Sequence, residues 1–233
     1  MNQSKFIEEV SKLGIPVTQE QLDKLDKYYR LLIEYNKVMN LTSITDEENV
    51  YLKHFYDSLT ISKIIDLNSM NNLCDLGSGA GFPGIVIKIF YPNLKVTLID
   101  SLNKRVNFLN IVIEELNLKN IEAIHGRIED FSIKNKECYD VVTARAVAPL
   151  NILLELGINL VKVGKYFVSM KGNIDNEPNF DNAINKLNCS IDNIVKFKLP
   201  VENSDRSLIK ILKLKETSKL FPRKYSDIKK KPL

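Results

Sequence analysis

The stretch Asp75-Leu-Gly-Ser-Gly-Ala-Gly-Phe-Pro-Gly84, with Asp100 following 25 residues after Asp75, holds the residue types whose spacing best fits a chemical task. Gly77, Gly79 and Gly81 remove side chains, so the backbone can turn tightly and approach a ligand closely. Asp100 closes the apolar run Lys95-Val-Thr-Leu-Ile-Asp100, and a carboxylate there can accept two ribose hydroxyls. Elements must position both. Asn72 to Leu76 reads as a short buried strand, and Ile85 to Phe90 as a helix ending before Pro92. The glycines then occupy a strand-to-helix turn, the crevice in which doubly wound α/β proteins bind nucleotides. An adenosine-containing cofactor is expected.

Spacing decides which cofactor. Dinucleotide turns favour G-x-G-x-x-G, whose third glycine lets helix and strand pack beside a pyrophosphate. Here the pattern is Asp-x-Gly-x-Gly-x-Gly, which resembles the first motif of class I S-adenosylmethionine (AdoMet)-dependent methyltransferases. AdoMet has no phosphate and carries an ammonium group, which an acid such as Asp75 can stabilise by charge-assisted hydrogen bonding. A nicotinamide or flavin cofactor is the alternative, and a plain glycine-rich cap is the bland one.

Further elements follow from pattern. Thr18 with Gln21 forms a capping-box signature, and Leu22, Leu25, Tyr29 and Leu32 continue a helical stripe to Met39. Asp46 caps a second helix reaching about Asp66. After Asp75, strands at 95–100, 121–125, 139–144 and 165–170 alternate with helices at 103–118 and 149–161. Two late runs, Ile194 to Leu199 and Leu208 to Leu214, are close enough to pair antiparallel. The expected fold is α/β, a class I (Rossmann-like) methyltransferase sheet. An N-terminal helical extension covers 1–66, the core 67–215 and a basic tail 216–233.

Composition narrows the function classes. A chain of 233 residues with 44% hydrophobic content can bury one substantial core. No apolar run approaches the roughly 18 residues of a membrane span, and the start has no apolar core of a signal peptide. Cys74, Cys138 and Cys189 lack metal spacing and read as buried thiols of a reducing cytosol, and two histidines make a zinc site a poor expectation. Net charge is +4, but Lys215 to Leu233 holds seven basic residues against two acids. That uneven balance suggests a polyanionic partner, with a solvated terminus as the alternative.

Several separate stretches resemble the RsmG (GidB) family, bacterial methyltransferases that modify guanine N7 in 16S ribosomal RNA. They are Asn40-Leu-Thr, His54-Phe-Tyr-Asp-Ser-Leu59, the glycine turn with Phe82-Pro-Gly84, and Leu98-Ile-Asp-Ser. Lys104-Arg-Val-Asn-Phe-Leu109, Arg127-Ile-Glu-Asp-Phe131, Thr143-Ala-Arg-Ala146, Met170-Lys-Gly172 and Phe221-Pro-Arg-Lys224 follow in family order. The tail departs, with Tyr225-Ser-Asp-Ile228 where family members often carry Gly-Thr-Pro. The resemblance implies AdoMet contacts from Gly77, Phe82, Ile128, Glu129 and Arg145, alongside Asp75, Gly79 and Asp100 of the motif. Phe82 is either a pocket wall or a helix-start staple, Glu129 either flanks the adenine or is solvated, and Arg145 either holds an anion or is an ordinary ion pair. Lys171, Arg223, Lys224, Lys229, Lys230 and Lys231 are candidate RNA contacts, Lys171 equally a helix-terminus charge.

His54, Asp57 and Ser58 share one helix face at i, i+3 and i+4. Without a Gly-x-Ser-x-Gly elbow they are no hydrolase triad. They brace the glycine turn or the RNA-facing surface, or form a buried polar network. Guanine N7 carries a free lone pair, so no general base is expected among the residues. The competing classes are a small-molecule methyltransferase, a nicotinamide oxidoreductase and a non-catalytic RNA-binding module. The basic tail argues against the first, glycine spacing against the second, and the intact Asp75, glycines and Asp100 against the third. The expected partner is 16S ribosomal RNA, in the small subunit or its precursor, met by a cytoplasmic monomer.

Overall fold

A computed structural model describes residues 1–175 and 177–233. Its strands are β1 (Asn72–Leu76), β2 (Lys95–Asp100), β3 (Ile121–His125), β4 (Tyr139–Arg145), β5 (Val161–Lys171), β6 (Cys189–Lys198) and β7 (Asp205–Lys213). They form one seven-stranded sheet in the order β3-β2-β1-β4-β5-β7-β6. β1 to β5 run parallel, and β7 pairs antiparallel with both β5 and β6. The central strands are Val-, Ile- and Leu-rich and buried on both faces, as a parallel sheet covered by helices requires. β1 has β2 on one side and β4 on the other, so the order reverses between β1 and β4. Ligands of open α/β sheets bind at such a switch point, beyond the carboxyl ends of the strands.

The helices are α1 (Gln3–Lys12), α2 (Gln19–Met39), α3 (Glu47–Val50), α4 (Asp57–Leu59), α5 (Gly84–Phe90), α6 (Asn103–Glu115), α7 (Ile128–Lys134), α8 (Leu150–Gly157), α9 (Asp181–Lys186) and α10 (Tyr225–Lys230). The capping box that opens α2 is made in both directions: Thr18 Oγ1 accepts from Gln21 N, and Gln21 Oε1 accepts from Thr18 N at 2.8 Å. Its apolar stripe is Leu22, Leu25, Tyr28 and Leu32, all buried. Tyr28 replaces the expected Tyr29, which is half-buried and donates to Thr45 O. Between α3 and α4 the chain is π-helical over Tyr51–Tyr56, a local widening often found at functional sites.

The three expected segments share their packing. Phe6, Leu25 and Phe55 from the N-terminal helices join Val86, Leu98 and Val168 in one hydrophobic core. The C-terminal segment docks as well, burying Ile228 completely and placing Leu233 in the core on the sheet's other side. Cys138 is a correction: it is exposed, because it lies in the turn before β4, whereas Cys74 and Cys189 are buried in strands. The expected strand at 194–199 starts five residues earlier, at Cys189, where its polar solvent face hid the alternation. No described helix is long and apolar enough to cross a membrane.

Candidate functional site

The chain leaves β1 through the glycine turn, where Gly77, Gly79 and Gly81 have φ of 66°, 59° and 101°. These left-handed angles are open to glycine and strained for other residues. Asp100 fixes the turn from β2. Its Oδ2 accepts from Gly79 N at 2.9 Å, and its Oδ1 accepts from Leu102 N at 2.9 Å. Tyr28 fixes it from behind, donating to Ala80 O at 2.5 Å. A Cβ on Gly81 would meet that hydroxyl oxygen at 2.5 Å, so the N-terminal helix and the turn are fitted to one another.

Asp75 takes a different position from the one expected. It is fully buried and lines neither cavity described below. Its Oδ2 accepts from Gly84 N at 3.0 Å, tying the end of β1 to the start of α5, while Oδ1 is a buried acceptor without a partner. Burial pushes its carboxyl up to about 6. Its observed role is that of a brace between β1 and α5 behind the turn.

Phe82 is packed among aromatic rings and also faces a cavity. Its ring packs on Tyr28 at 5.4 Å and on His54 at 4.4 Å, the latter nearly parallel at 16°, and it also lines the cavity. The Arg145 guanidinium lies 5.4 Å from the Phe82 ring centroid. Arg145 Nη1 donates to Lys53 O at 2.8 Å and to Asp57 Oδ2 at 3.0 Å. Arg206, from β7, donates to the other Asp57 oxygen at 3.0 Å. Two guanidiniums thus share one carboxylate, and the group carries a net positive charge. Ser58 is not part of it: its hydroxyl turns back to His54 O at 2.5 Å and is fully buried.

His54 is held neutral. Burial, and after it the adjacent Arg145, pull its imidazole down to about 3, and Nε2 lies 3.0 Å from Thr42 Oγ1. The unfolded chain takes up this proton near its ordinary 6.5, so the contribution to stability is present above that value and lost as pH falls toward about 3. Asp75 works in the opposite sense: its contribution is present below 3.8 and lost as pH rises through about 6. Between about pH 6 and 4 the two slopes oppose, each roughly 1.4 kcal/mol per pH unit. His54→Gln is expected to gain stability over the unsubstituted protein by about that amount per unit as pH drops across this range. Urea denaturation of both proteins at three pH values measures it, and a constant difference would show that His54 is not kept neutral.

Two cavities lie along the switch point. One of about 460 Å³ is lined by His54, Phe82, Arg145, Lys171 and Arg206, and another of about 230 Å³ by Asp100, Arg127, Ile128, Glu129 and Tyr225. Gly77, Arg105 and Ala146 line both, so the two cavities adjoin at the glycine turn as two arms of one site. Ala146, just past β4, has a left-handed φ of 57°, the strained backbone that functional crevices accumulate.

The expected cofactor residues Gly77, Gly79, Phe82, Asp100, Ile128, Glu129 and Arg145 are therefore brought together, with Asp75 behind them. Expected RNA contacts divide. Lys224, Lys229, Lys230 and Lys231 are exposed. Arg223 is a correction: it is chelated by the fully buried Glu155 at 2.6 and 2.7 Å, because the leucine-rich α8 leaves that carboxylate no other partner. Lys171 lines the cavity and donates to Ala148 O at 2.6 Å and to Glu177 Oε1 at 2.9 Å, an acid that also accepts from Leu150 N at the start of α8. Tyr28, Arg105, Arg206 and Tyr225 were not foreseen. Each is a single residue without a spacing signal, and Tyr28 alone was recoverable, from a helical stripe counted one residue too late.

Comparison with known proteins gives a consistent picture. The family model "GidB: rRNA small subunit methyltransferase G" matches residues 21–209. Ribosomal RNA small subunit methyltransferase G of Lysinibacillus sphaericus (strain C3-41) is 48% identical, with all of both chains covered. The protein of that name from Bacillus subtilis (strain 168) is 45% identical over 100% of this chain and 99% of its own. Among solved structures, a SAM dependent methyltransferase from Aquifex aeolicus aligns with a TM-score of 0.55 at 17% identity, over 74% of this chain and 97% of that one. M. jannaschii TYW2 in complex with AdoMet aligns at 0.56 and 14% identity, over 74% and 80% of the two chains. At such identities the structural matches speak for the fold.

Proposed function

The chain belongs to the GidB family, rRNA small subunit methyltransferase G, and we propose that it transfers the methyl group of AdoMet to N7 of a guanine in 16S ribosomal RNA. The observation that carries this reading is the pair of adjoining cavities at the switch point of the sheet. The smaller cavity is lined by Asp100, Ile128 and Glu129, and the larger holds the net positive Arg145–Asp57–Arg206 group.

The residues fit the cofactor. Gly77 leaves the turn without a side chain, the unpartnered Asp75 Oδ1 favours a cation nearby, and Asp100 keeps lone pairs for a ribose beside its bonds to Gly79 and Leu102. Bound there, AdoMet supplies an activated methyl group on a sulfonium. The protein aligns and desolvates. Phe82 and His54 stack as one wall of the site, and Arg145 is held by two acceptors, Lys53 O and Asp57 Oδ2. Orientation and exclusion of water are then the main contributions to rate.

No proton has to leave guanine N7 before attack. His54 is neutral, but its ring nitrogens already face Thr42 Oγ1 and Lys53 O, so it serves as packing and not as a base. The A-form major groove hides N7, which favours a loop or an extruded guanine as target. The enzyme works as a cytoplasmic monomer, with exposed Lys224, Lys229, Lys230 and Lys231 available to RNA phosphates of the small subunit or its precursor.

The expected product is 7-methylguanosine, formed in a methyl-transfer step without an essential enzymic base near neutrality. Mass mapping of modified nucleosides in 16S ribosomal RNA from cells with and without the protein tests it. A methylated exocyclic amine or ribose appearing instead would overturn the mechanism.

A further inference from the structure

We infer that Tyr225, carried by the docked C-terminal segment, is a wall of the adenosine subsite, so that the chain's last residues complete the cofactor site; this rests on reading that site as the AdoMet site.

Tyr225 lines the smaller cavity together with Asp100, Ile128 and Glu129, although 125 residues separate it from Asp100. Its position is built. Arg223, two residues earlier, is chelated by Glu155 through its backbone N at 3.1 Å and its guanidinium at 2.7 and 2.6 Å. Asn159 donates to Phe221 O at 2.8 Å, and Asn151 donates to Leu233 O at 3.3 Å. Three residues after Tyr225, Ile228 is fully buried. The segment is thus fastened to α8 and its continuation on both sides of the ring.

The ring also has a partner within the subsite, since the Arg127 guanidinium lies 6.0 Å from its centroid. Arg127 precedes α7, the helix that presents Ile128 and Glu129. An aromatic ring backed by a guanidinium, next to an aliphatic side chain and a carboxylate, is a surface on which a purine can stack. Tyr225 remains 37% exposed, as expected for a side chain that covers a ligand and does not fill the core.

Calorimetric titration with S-adenosylhomocysteine tests this on the full chain. Tyr225→Ala is expected to weaken binding about tenfold, at the lower end of measured base-stacking losses, and Tyr225→Phe to bind like the unsubstituted protein. Thermal unfolding without ligand should be unchanged in both, because the side chain is not in the core. The chain contains no tryptophan, so Tyr225→Trp installs a lone reporter at the wall. Its emission should change on adding S-adenosylhomocysteine and saturate where the calorimetry does. Unweakened binding by Tyr225→Ala, or a reporter that answers RNA but not S-adenosylhomocysteine, would overturn the inference while the cofactor reading stands. Failure of the unsubstituted protein to bind S-adenosylhomocysteine would overturn the cofactor reading itself.

Discussion

Gly77→Val is expected to leave no AdoMet or S-adenosylhomocysteine binding that calorimetry can detect, in a protein that still folds. The residue has a φ of 66°, where an L-residue is strained by roughly 1–2 kcal/mol and a β-branched one by more. The larger obstacle is a neighbour. A Cβ at position 77 would lie 2.7 Å from Val147 Cγ2, and valine, stiff at χ1, cannot turn the methyl away cheaply. Either the turn or the segment after β4 must move, and both line the junction of the two arms of the site. The collision is thus internal to the protein and precedes any contact with ligand. Gly77→Ala should weaken binding less, and adding Val147→Ala should recover the steric part but not the part due to φ. Wild-type affinity in Gly77→Val would remove the turn from the site altogether.

This pair shows what the sequence makes legible. The glycine spacing marks a turn that must come close to something, and the strand before it and helix after it follow from short apolar runs bounded by Asn, Gly and Pro. Asp100 is legible for the same reason, as the end of a β-branched run. What surrounds the turn is another matter: Val147 and Tyr28 meet it from the segment after β4 and from α2, and Arg206 reaches Asp57 from β7, all through pairings distant in sequence. Sheet order was predictable as a class, but β7 inserting between β5 and β6 is what places Arg206 opposite Asp57. Asp75 is misread for a related reason. Its type and position fit a ligand-facing acid, and only the three-dimensional path of the turn buries it and brings Gly84 N to its Oδ2.

The basic tail is where charge pattern and packing part most sharply, and Arg223→Leu separates them. Seven basic residues after residue 214 read as one electrostatic grip. In the folded chain Arg223 instead neutralises Glu155, a fully buried carboxylate on a helix whose Leu153, Leu154 and Leu156 are buried around it. Removing one partner of a buried pair typically costs about 3–5 kcal/mol, because the remaining charge is desolvated without compensation. With Arg223 itself 27% exposed, the loss belongs near the lower end, roughly 3 kcal/mol. Glu155→Leu combined with Arg223→Leu should restore most of it, since a leucine pair suits α8. Replacing Lys229, Lys230 and Lys231 together by alanine should behave in the opposite way. These side chains are exposed, so stability should stay within about 0.5 kcal/mol. The salt dependence of RNA binding should flatten by about 0.7–0.9 log units for each phosphate no longer neutralised. Urea denaturation and RNA affinity across a salt series, on the same set of variants, distinguish the two roles. An Arg223→Leu protein of undiminished stability but weakened RNA binding would return Arg223 to the RNA grip and leave Glu155 without an explanation. Loss of both stability and cofactor affinity fits a segment that anchors through Arg223, reaches the adenosine subsite through Tyr225, and leaves its last lysines free for the ribosome.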